Sequence, residues 1–120
     1  MVEMDRQSAL NCLELVGADI NDTLLLYILD YMRVKKYRFQ IIKLVKNYIT
    51  DEGFKMLLSL LVNDNTTQVL NLTSNQLTSL SLQLILMFAN RNNILRTIYL
   101  TNNKISSFQL KSKKADLEKY

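Results

Sequence analysis

Short segments in which apolar and polar residues alternate recur along the chain. In VLNLTSNQLT, from Val69 to Thr78, two leucines alternate with polar residues, and an asparagine follows three positions later. The segment TIYLTNNKIS, from Thr97 to Ser106, has apolar residues and an asparagine at the same places. Alternation with period two is typical of a short β-strand with one buried face. We therefore predict a strand and an asparagine-containing turn in each segment.

The same pattern returns at a spacing of 28 residues, and once at 29. The earliest segment contains Leu13, Leu15 and Ile20 but has Ala18 in place of the asparagine. A pattern kept through four segments indicates an internal repeat. The matching positions of the other three are Ile42, Leu44, Asn47 and Ile49, then Leu70, Leu72, Asn75 and Leu77, then Ile98, Leu100, Asn103 and Ile105.

Between the predicted strands, apolar residues recur at the spacing of an amphipathic helix. One such segment offers Thr50 as N-cap, with Asp51 and Glu52 in the first turn, where acidic side chains suit the helix dipole. The first helix is expected to be capped near Asp22 or Thr23. The residues predicted to face the core are Phe54, Leu57, Leu58 and Leu61 in one helix and Leu82, Ile85, Phe88 and Ala89 in the next.

Units of one strand and one helix, joined in series, give parallel strands through right-handed crossovers. Because a helix is wider than the strand spacing of about 4.8 Å, such a stack curves. We therefore predict an α/β solenoid of about four units, with the strands on the concave face and the helices on the convex face. The units cover approximately residues 10–38, 39–66, 67–94 and 95–118 of a single domain spanning 1–120.

This pattern resembles that of the leucine-rich repeat family, and its period is similar to that of the ribonuclease-inhibitor-like class. The segment from Ile49 to Thr78 is similar to the repeats of intracellular receptor-type proteins of this class. The resemblance covers about residues 10–110 and implies a short leucine-rich-repeat solenoid. It also implies a protein-binding or structural accessory subunit of a larger assembly, such as those of the cytoskeleton and cilia. Regulation of small GTPases, known for longer relatives, is a further alternative.

The three equivalent asparagines Asn47, Asn75 and Asn103 are predicted to form a structural ladder. A buried amide can bond to backbone groups of its own turn and of the neighbouring turn. The chain has two glycines and no proline, so asparagine is also the expected residue for the unusual backbone angles of the turns. Gly53 is expected to let a helix start pack closely against its neighbour.

The composition offers little chemistry for catalysis. The 120 residues include no histidine and one cysteine, Cys12, so there is no imidazole base and no histidine metal ligand. We predict no enzyme activity, no cofactor, no metal and no small-molecule substrate. No apolar run approaches the roughly 18 residues of a membrane span, and the start lacks a signal-peptide pattern. We expect a cytoplasmic protein that does not insert into membranes.

The outward residues of the strands are the predicted partner-binding surface. Aligned across the units, they form three rows on the concave face, and this surface suits a protein partner because aromatic residues are common anchors of interfaces. Tyr99 and Lys43 are the expected principal contacts. The alternative is that β-branched residues occur there because strands favour them. The predicted residues are Glu14, Val16, Ile41, Lys43, Val45, Val69, Asn71, Thr73, Tyr99 and Thr101, and Cys12 and Thr97 complete the rows.

The net charge is +4, and the basic residues collect in two places. A basic patch of Arg33, Lys35, Lys36 and Arg38 falls at the end of the first helix. It complements the negative end of the helix dipole, or it binds an acidic partner or nucleic acid, with salt-sensitive affinity for the latter. A second basic run, Lys111–Lys114, is offset by the acids that follow it.

Overall fold

The computed structural model describes residues 10–105. Over this range the chain forms four strands in one sheet and three α-helices. All strand pairs are parallel, and the strands lie side by side in chain order, which confirms the predicted α/β class. The elements are β1 (Leu10–Glu14), α1 (Asp22–Lys35), β2 (Phe39–Lys43), α2 (Asp51–Leu61), β3 (Val69–Asn71), α3 (Leu80–Ala89) and β4 (Thr97–Tyr99).

The register of the sheet follows the spacing in the sequence. Leu13 pairs with Ile42, Ile42 with Leu70, and Leu70 with Ile98. The predicted alignment of Ile42, Leu70 and Ile98 in successive strands is therefore confirmed. Since side chains alternate between the two faces of a strand, this register brings all four residues to the same face.

One hydrophobic core lies between the sheet and the helices, and α1 packs against α2 as α2 packs against α3. Burial of each large aliphatic side chain stabilises the fold by about 1.5–3 kcal/mol. Ala89, predicted for the core, is only half-buried because it ends α3. The helical core residues are Leu25, Leu29, Met32, Phe54, Leu57, Leu58, Leu61, Leu82, Ile85 and Phe88.

The predicted N-cap is confirmed in α2, and in α1 the N-cap lies one residue before the predicted one. Thr50 is the N-cap of α2, and its hydroxyl accepts a hydrogen bond from the N–H of Glu52 at 3.3 Å. The N-cap of α1 is Asn21, whereas the cap was predicted near Asp22 or Thr23. Its side-chain oxygen accepts from the N–H of Leu24 at 2.9 Å. Asparagine caps a helix as well as aspartate does.

The prediction that asparagine takes the unusual backbone angles of the turns is confirmed in one turn, at Asn102, and not in the others. In the first turn Asp19 is left-handed, with φ of 56°. A left-handed residue also stands at one equivalent place in every turn, at Gly17, Lys46, Ser74 and Asn102, with φ of 59°, 60°, 61° and 58°. Each stands one place before the ladder position, so the asparagine of the ladder bonds to its neighbours while the preceding residue makes the turn. Residues 106–118 of the predicted fourth unit, including the Lys111–Lys114 run, lie outside the described residues.

Candidate partner-binding surface

Each asparagine of the ladder joins two neighbouring turns. The Nδ2 of Asn75 donates to the carbonyl of Leu44 in the preceding turn at 2.8 Å and to that of Leu72 in its own turn at 3.1 Å. Its Oδ1 accepts from the N–H of Ile49 at 3.0 Å. The Oδ1 of Asn103 accepts from the N–H of Leu77 in the same manner. Buried backbone groups of each turn are thus satisfied by one side chain.

The bonds that these asparagines make between turns run in one direction, from each turn to the turn before it. Asn47 donates to the carbonyl of Leu15 at 2.8 Å, and its Oδ1 accepts from the N–H groups of Ala18 and Ile20, both at 3.0 Å. Ala18 belongs to the first described turn, so an amide at this position would have no preceding turn among the described residues to bond. The direction of the ladder explains why alanine is tolerated there.

A second set of bonds joins the helix starts. Asp22 accepts from both the N–H of Thr50, at 2.9 Å, and its hydroxyl. Asp51 accepts from the N–H of Thr78 at 2.9 Å and from the hydroxyls of Thr78 and Ser81. Partial burial would raise the pKa of the Asp51 carboxyl, but the bonds from Ser81 and Thr78 outweigh it and hold that pKa below its ordinary value. These acids are therefore structural links as well as first-turn charges.

Gly53 allows this link in α2. It is buried, and a Cβ at this position would overlap the Oδ1 of Asp22 and crowd the Cγ2 of Ile49 at 3.0 Å. The glycine thus leaves room for the carboxylate that binds Thr50.

Sequence analysis missed Asn92, which fixes the loop before β4. Its Nδ2 donates to the carbonyls of Leu61 at 2.7 Å and Asp64 at 3.0 Å, and its Oδ1 accepts from the N–H groups of Ile94 at 2.8 Å and Leu95 at 3.1 Å. Asp64, 28 positions earlier, accepts two backbone N–H groups of its own loop. That shared spacing of two short polar side chains was the available signal.

The face of the sheet that points away from the core is the predicted partner-binding surface, and we call it the open face. Its middle row runs in register across all four strands, through Glu14, Lys43, Asn71 and Tyr99. Within this row, Glu14 and Tyr99 on the two outer strands are exposed, and Lys43 and Asn71 on the inner strands are half-buried. Of the other predicted members, Ile41 and Val69 lie in strands, whereas the third row lies two residues beyond the strand ends, at Val16, Val45, Thr73 and Thr101.

Two details change the description of this face. Tyr99, 49% exposed, lies on the edge strand β4, while Lys43 lies on the inner strand β2. The Oδ1 of Asn71 accepts from the N–H of Thr73 at 3.0 Å and from its hydroxyl at 2.6 Å. The polar centre of the open face is therefore held by its own hydrogen bonds and is not wholly available to a partner.

The basic patch lies where it was predicted, at the end of α1. Arg33 and Lys35 belong to the last turn, and Lys36 is the C-cap in a left-handed conformation. All four members, including Arg38, are exposed, and Arg33 forms an ion pair with Asp30. The Nζ of Lys35 lies 5.8 Å from the centre of the Tyr31 ring. Such cation–π contacts are worth about 0.5–1 kcal/mol at exposed sites.

Other chemistry is sparse in residues 10–105. No group of three or more acidic, histidine or cysteine side chains in this range could hold a metal ion. Cys12 is a free, exposed thiol. No described helix has the length and apolar character that a membrane crossing demands.

No protein-family model matches the sequence, and no match was found among curated proteins.

Proposed function

We propose that the chain is a short leucine-rich-repeat solenoid of the ribonuclease-inhibitor-like class, with about four units, which acts as a non-enzymatic protein-binding or structural subunit of a larger intracellular assembly. Its partner contacts the open face, which is the concave face of the proposed solenoid. The chain needs no cofactor for this role.

The register of the sheet supports the repeat interpretation. Paired strand residues stand 28 or 29 positions apart, and the same asparagine bonds recur between successive turns. Stacks of this kind present long rows of side chains at constant spacing, which suits the binding of an extended or convex protein surface.

The open face is the single observation that carries the binding proposal. Its middle row combines an acid, a base, an amide and an aromatic ring within four adjacent strands. Tyr99 supplies a large surface at the sheet edge, and Lys43 supplies a charge about two strand spacings away, or roughly 10 Å. Tyrosine is among the residues enriched at the anchors of protein interfaces, and a charge such as that of Lys43 contributes to the choice of partner.

The test is purification of the tagged chain from its native cells, with mass spectrometric identification of what accompanies it. The variant Lys43→Glu/Tyr99→Ala should lose the associated proteins at least tenfold. The control Lys55→Glu/Tyr48→Ala changes one exposed lysine and one exposed tyrosine outside the open face, and it should retain them. Circular dichroism of both variants checks that the fold is unchanged.

Two results would contradict the proposal. Retention of the same proteins by the Lys43→Glu/Tyr99→Ala variant would exclude the open face as the contact. A chain that purifies as a free monomer and turns over a substrate would exclude the non-enzymatic role.

A further inference from the structure

An apolar groove lies between β1 and α1, at the edge of the sheet. Two of its tyrosines are largely exposed, Tyr27 at 68% and Tyr31 at 55%. The ring of Tyr31 meets that of Tyr37 edge to face, with the ring centres 5.9 Å apart. We call it the aromatic groove, and its lining comprises Leu13, Tyr27, Ile28, Tyr31, Tyr37 and Phe39, together with Met32.

The aromatic groove lies on the side of α1 where, for α2, the preceding helix α1 packs. The register between β1 and β2 is 29 residues, so Tyr31 in α1 corresponds to Leu60 in α2. Leu60 is half-buried and lies beside Met32 and Arg33 of α1. Among the described residues, no helix stands before α1. Tyr31 therefore offers to solvent the same kind of surface that Leu60 offers to α1.

The basic patch adjoins this groove. Lys35 lies over the Tyr31 ring, and a shallow hollow shares Met32 and Tyr37 with the groove. This hollow is lined by the other three members of the patch, Arg33, Lys36 and Arg38. Tyrosines thus stand among the basic residues.

The acids near the patch leave its field positive. Asp30 pairs with Arg33, and the carboxylate of Asp64 accepts two backbone N–H groups of its own loop. Lys35, Lys36 and Arg38 have no carboxylate partner among the described residues. A charged rim of one sign beside an apolar groove selects partners of the opposite sign.

We infer that the aromatic groove and the basic patch together bind an acidic amphipathic helix of a partner protein. The apolar side of this helix packs on Tyr27, Ile28 and Tyr31, as α1 packs on α2, and its carboxylates face the basic patch. Helix-in-groove recognition of this kind uses apolar anchors at helical spacing. The surface is distinct from the open face, so the inference does not depend on the proposed function.

Two competing interpretations fit less well. A nucleic acid needs free aromatic faces for stacking, but Lys35 covers one face of Tyr31, and the groove floor is formed by aliphatic side chains and Phe39. A second groove, between α2 and α3, is lined by two acids, Asp51 and Glu52, and one base, Lys55, and so does not favour an acidic helix.

The test uses two 18-residue helical peptides with the same leucine face, one with glutamates and one with lysines on the polar face. Fluorescence anisotropy with the full chain at 50 mM NaCl should give at least tenfold tighter binding of the glutamate peptide. Raising the NaCl concentration to 500 mM should weaken that binding severalfold, because exposed charges are screened.

Variants locate the site. Two double variants should each weaken binding of the glutamate peptide at least tenfold: Tyr27→Ser/Tyr31→Ser and Lys35→Glu/Arg38→Glu. Because all four positions are exposed, these substitutions leave the core unchanged. The matched controls Tyr48→Ser and Lys104→Glu, also exposed but away from the groove, should bind as the unaltered chain does.

Several results would overturn the inference. Equal affinity for the two peptides, or no binding of either, would exclude an acidic helix. Binding of a 12-residue oligouridine that depends on Tyr31 would assign the site to nucleic acid. A dimer in analytical ultracentrifugation that Tyr27→Ser/Tyr31→Ser dissociates would assign it to a second copy. Peptide binding that appears only after deletion of residues 1–9 would assign it to the chain's own start.

Discussion

The carboxylate of Asp51 accepts a hydrogen bond from the backbone N–H of Thr78 at 2.9 Å and thereby ties the first turn of α2 to the start of α3. Asp22 and Thr50 make the same connection between α1 and α2. The helices of this sheet are thus joined by polar bonds at their starts as well as by apolar contacts along their length.

Replacement of Asp51 by asparagine should lower the free energy of unfolding at pH 7 by about 1–2 kcal/mol, since charge-assisted hydrogen bonds are lost. The pKa of Asp51 is lowered in the folded chain, from an ordinary value of 3.8. Its contribution is therefore present above about pH 4 and is lost as the pH falls through the folded-state pKa. The cost of the substitution should shrink at pH 3. Urea unfolding at both pH values measures it.

Glu52→Gln is the control for this prediction, because Glu52 is an exposed acid of the same helical turn. Its effect should stay within about 0.5 kcal/mol, as for ordinary surface substitutions. An Asp51→Asn cost that is equal at pH 7 and pH 3 would mean that the charge of this carboxylate does not stabilise the fold.

Asn75→Ala should destabilise the chain by about 3 kcal/mol, because buried carbonyl and N–H groups lose their partners. The opposite change, Ala18→Asn, should be neutral within about 0.5 kcal/mol, since no preceding turn among the described residues could use the new amide. Urea unfolding of both variants tests the direction of the ladder. A stabilisation of more than 1 kcal/mol by Ala18→Asn would argue against it.

Gly53→Ala should cost about 1–2 kcal/mol, because the added methyl group overlaps the Asp22 carboxylate. Alanine is otherwise the better helix former by about 1 kcal/mol. In an Asp22→Ala background the same change should therefore cost at least about 1 kcal/mol less. A double-mutant cycle by urea unfolding measures this coupling. Additive effects would show that Asp22 does not determine the need for glycine.

The left-handed turn residues give a prediction about backbone conformation alone. Gly17→Ala should destabilise by about 1 kcal/mol, because φ is positive and no heavy atom lies near the added methyl group. Lys46→Gly should stabilise by about 0.5–1 kcal/mol for the same reason. Thermal unfolding measures the stability of both variants. The comparison variant, Lys55→Gly in α2, should lower the free energy of unfolding by about 1 kcal/mol. Destabilisation by Lys46→Gly would show that its side chain contributes more than its backbone costs.

The spacing of apolar residues was enough to predict the strands, their parallel order and the buried face of α2. The period defines which residues meet, because Ile42, Leu70 and Ile98 can share one core only in this register. Local chemistry also identified Thr50 as an N-cap, since capping depends on the residue and its next few neighbours.

The remaining details depend on contacts between turns that are distant in sequence. The pairing of Asp51 with Thr78 and the bonds of Asn92 to Leu61 and Asp64 arise only once successive units are stacked. Asparagine was expected to take the left-handed angles, but it does so only at Asn102, and Lys46 and Ser74 take them in the two preceding turns.

The one-way direction of the asparagine bonds makes the two borders of the sheet chemically unlike. Asn103 serves the turn before it, and among the described residues no further amide serves the N–H groups of Asn103 and Ile105. The asparagine of an engineered unit grafted beyond β4 could therefore accept hydrogen bonds from the N–H groups of Asn103 and Ile105. A unit grafted ahead of β1 would have Ala18 in the turn that follows it, and alanine has no side-chain amide. The substitution Ala18→Asn would be needed to extend the asparagine ladder to that unit.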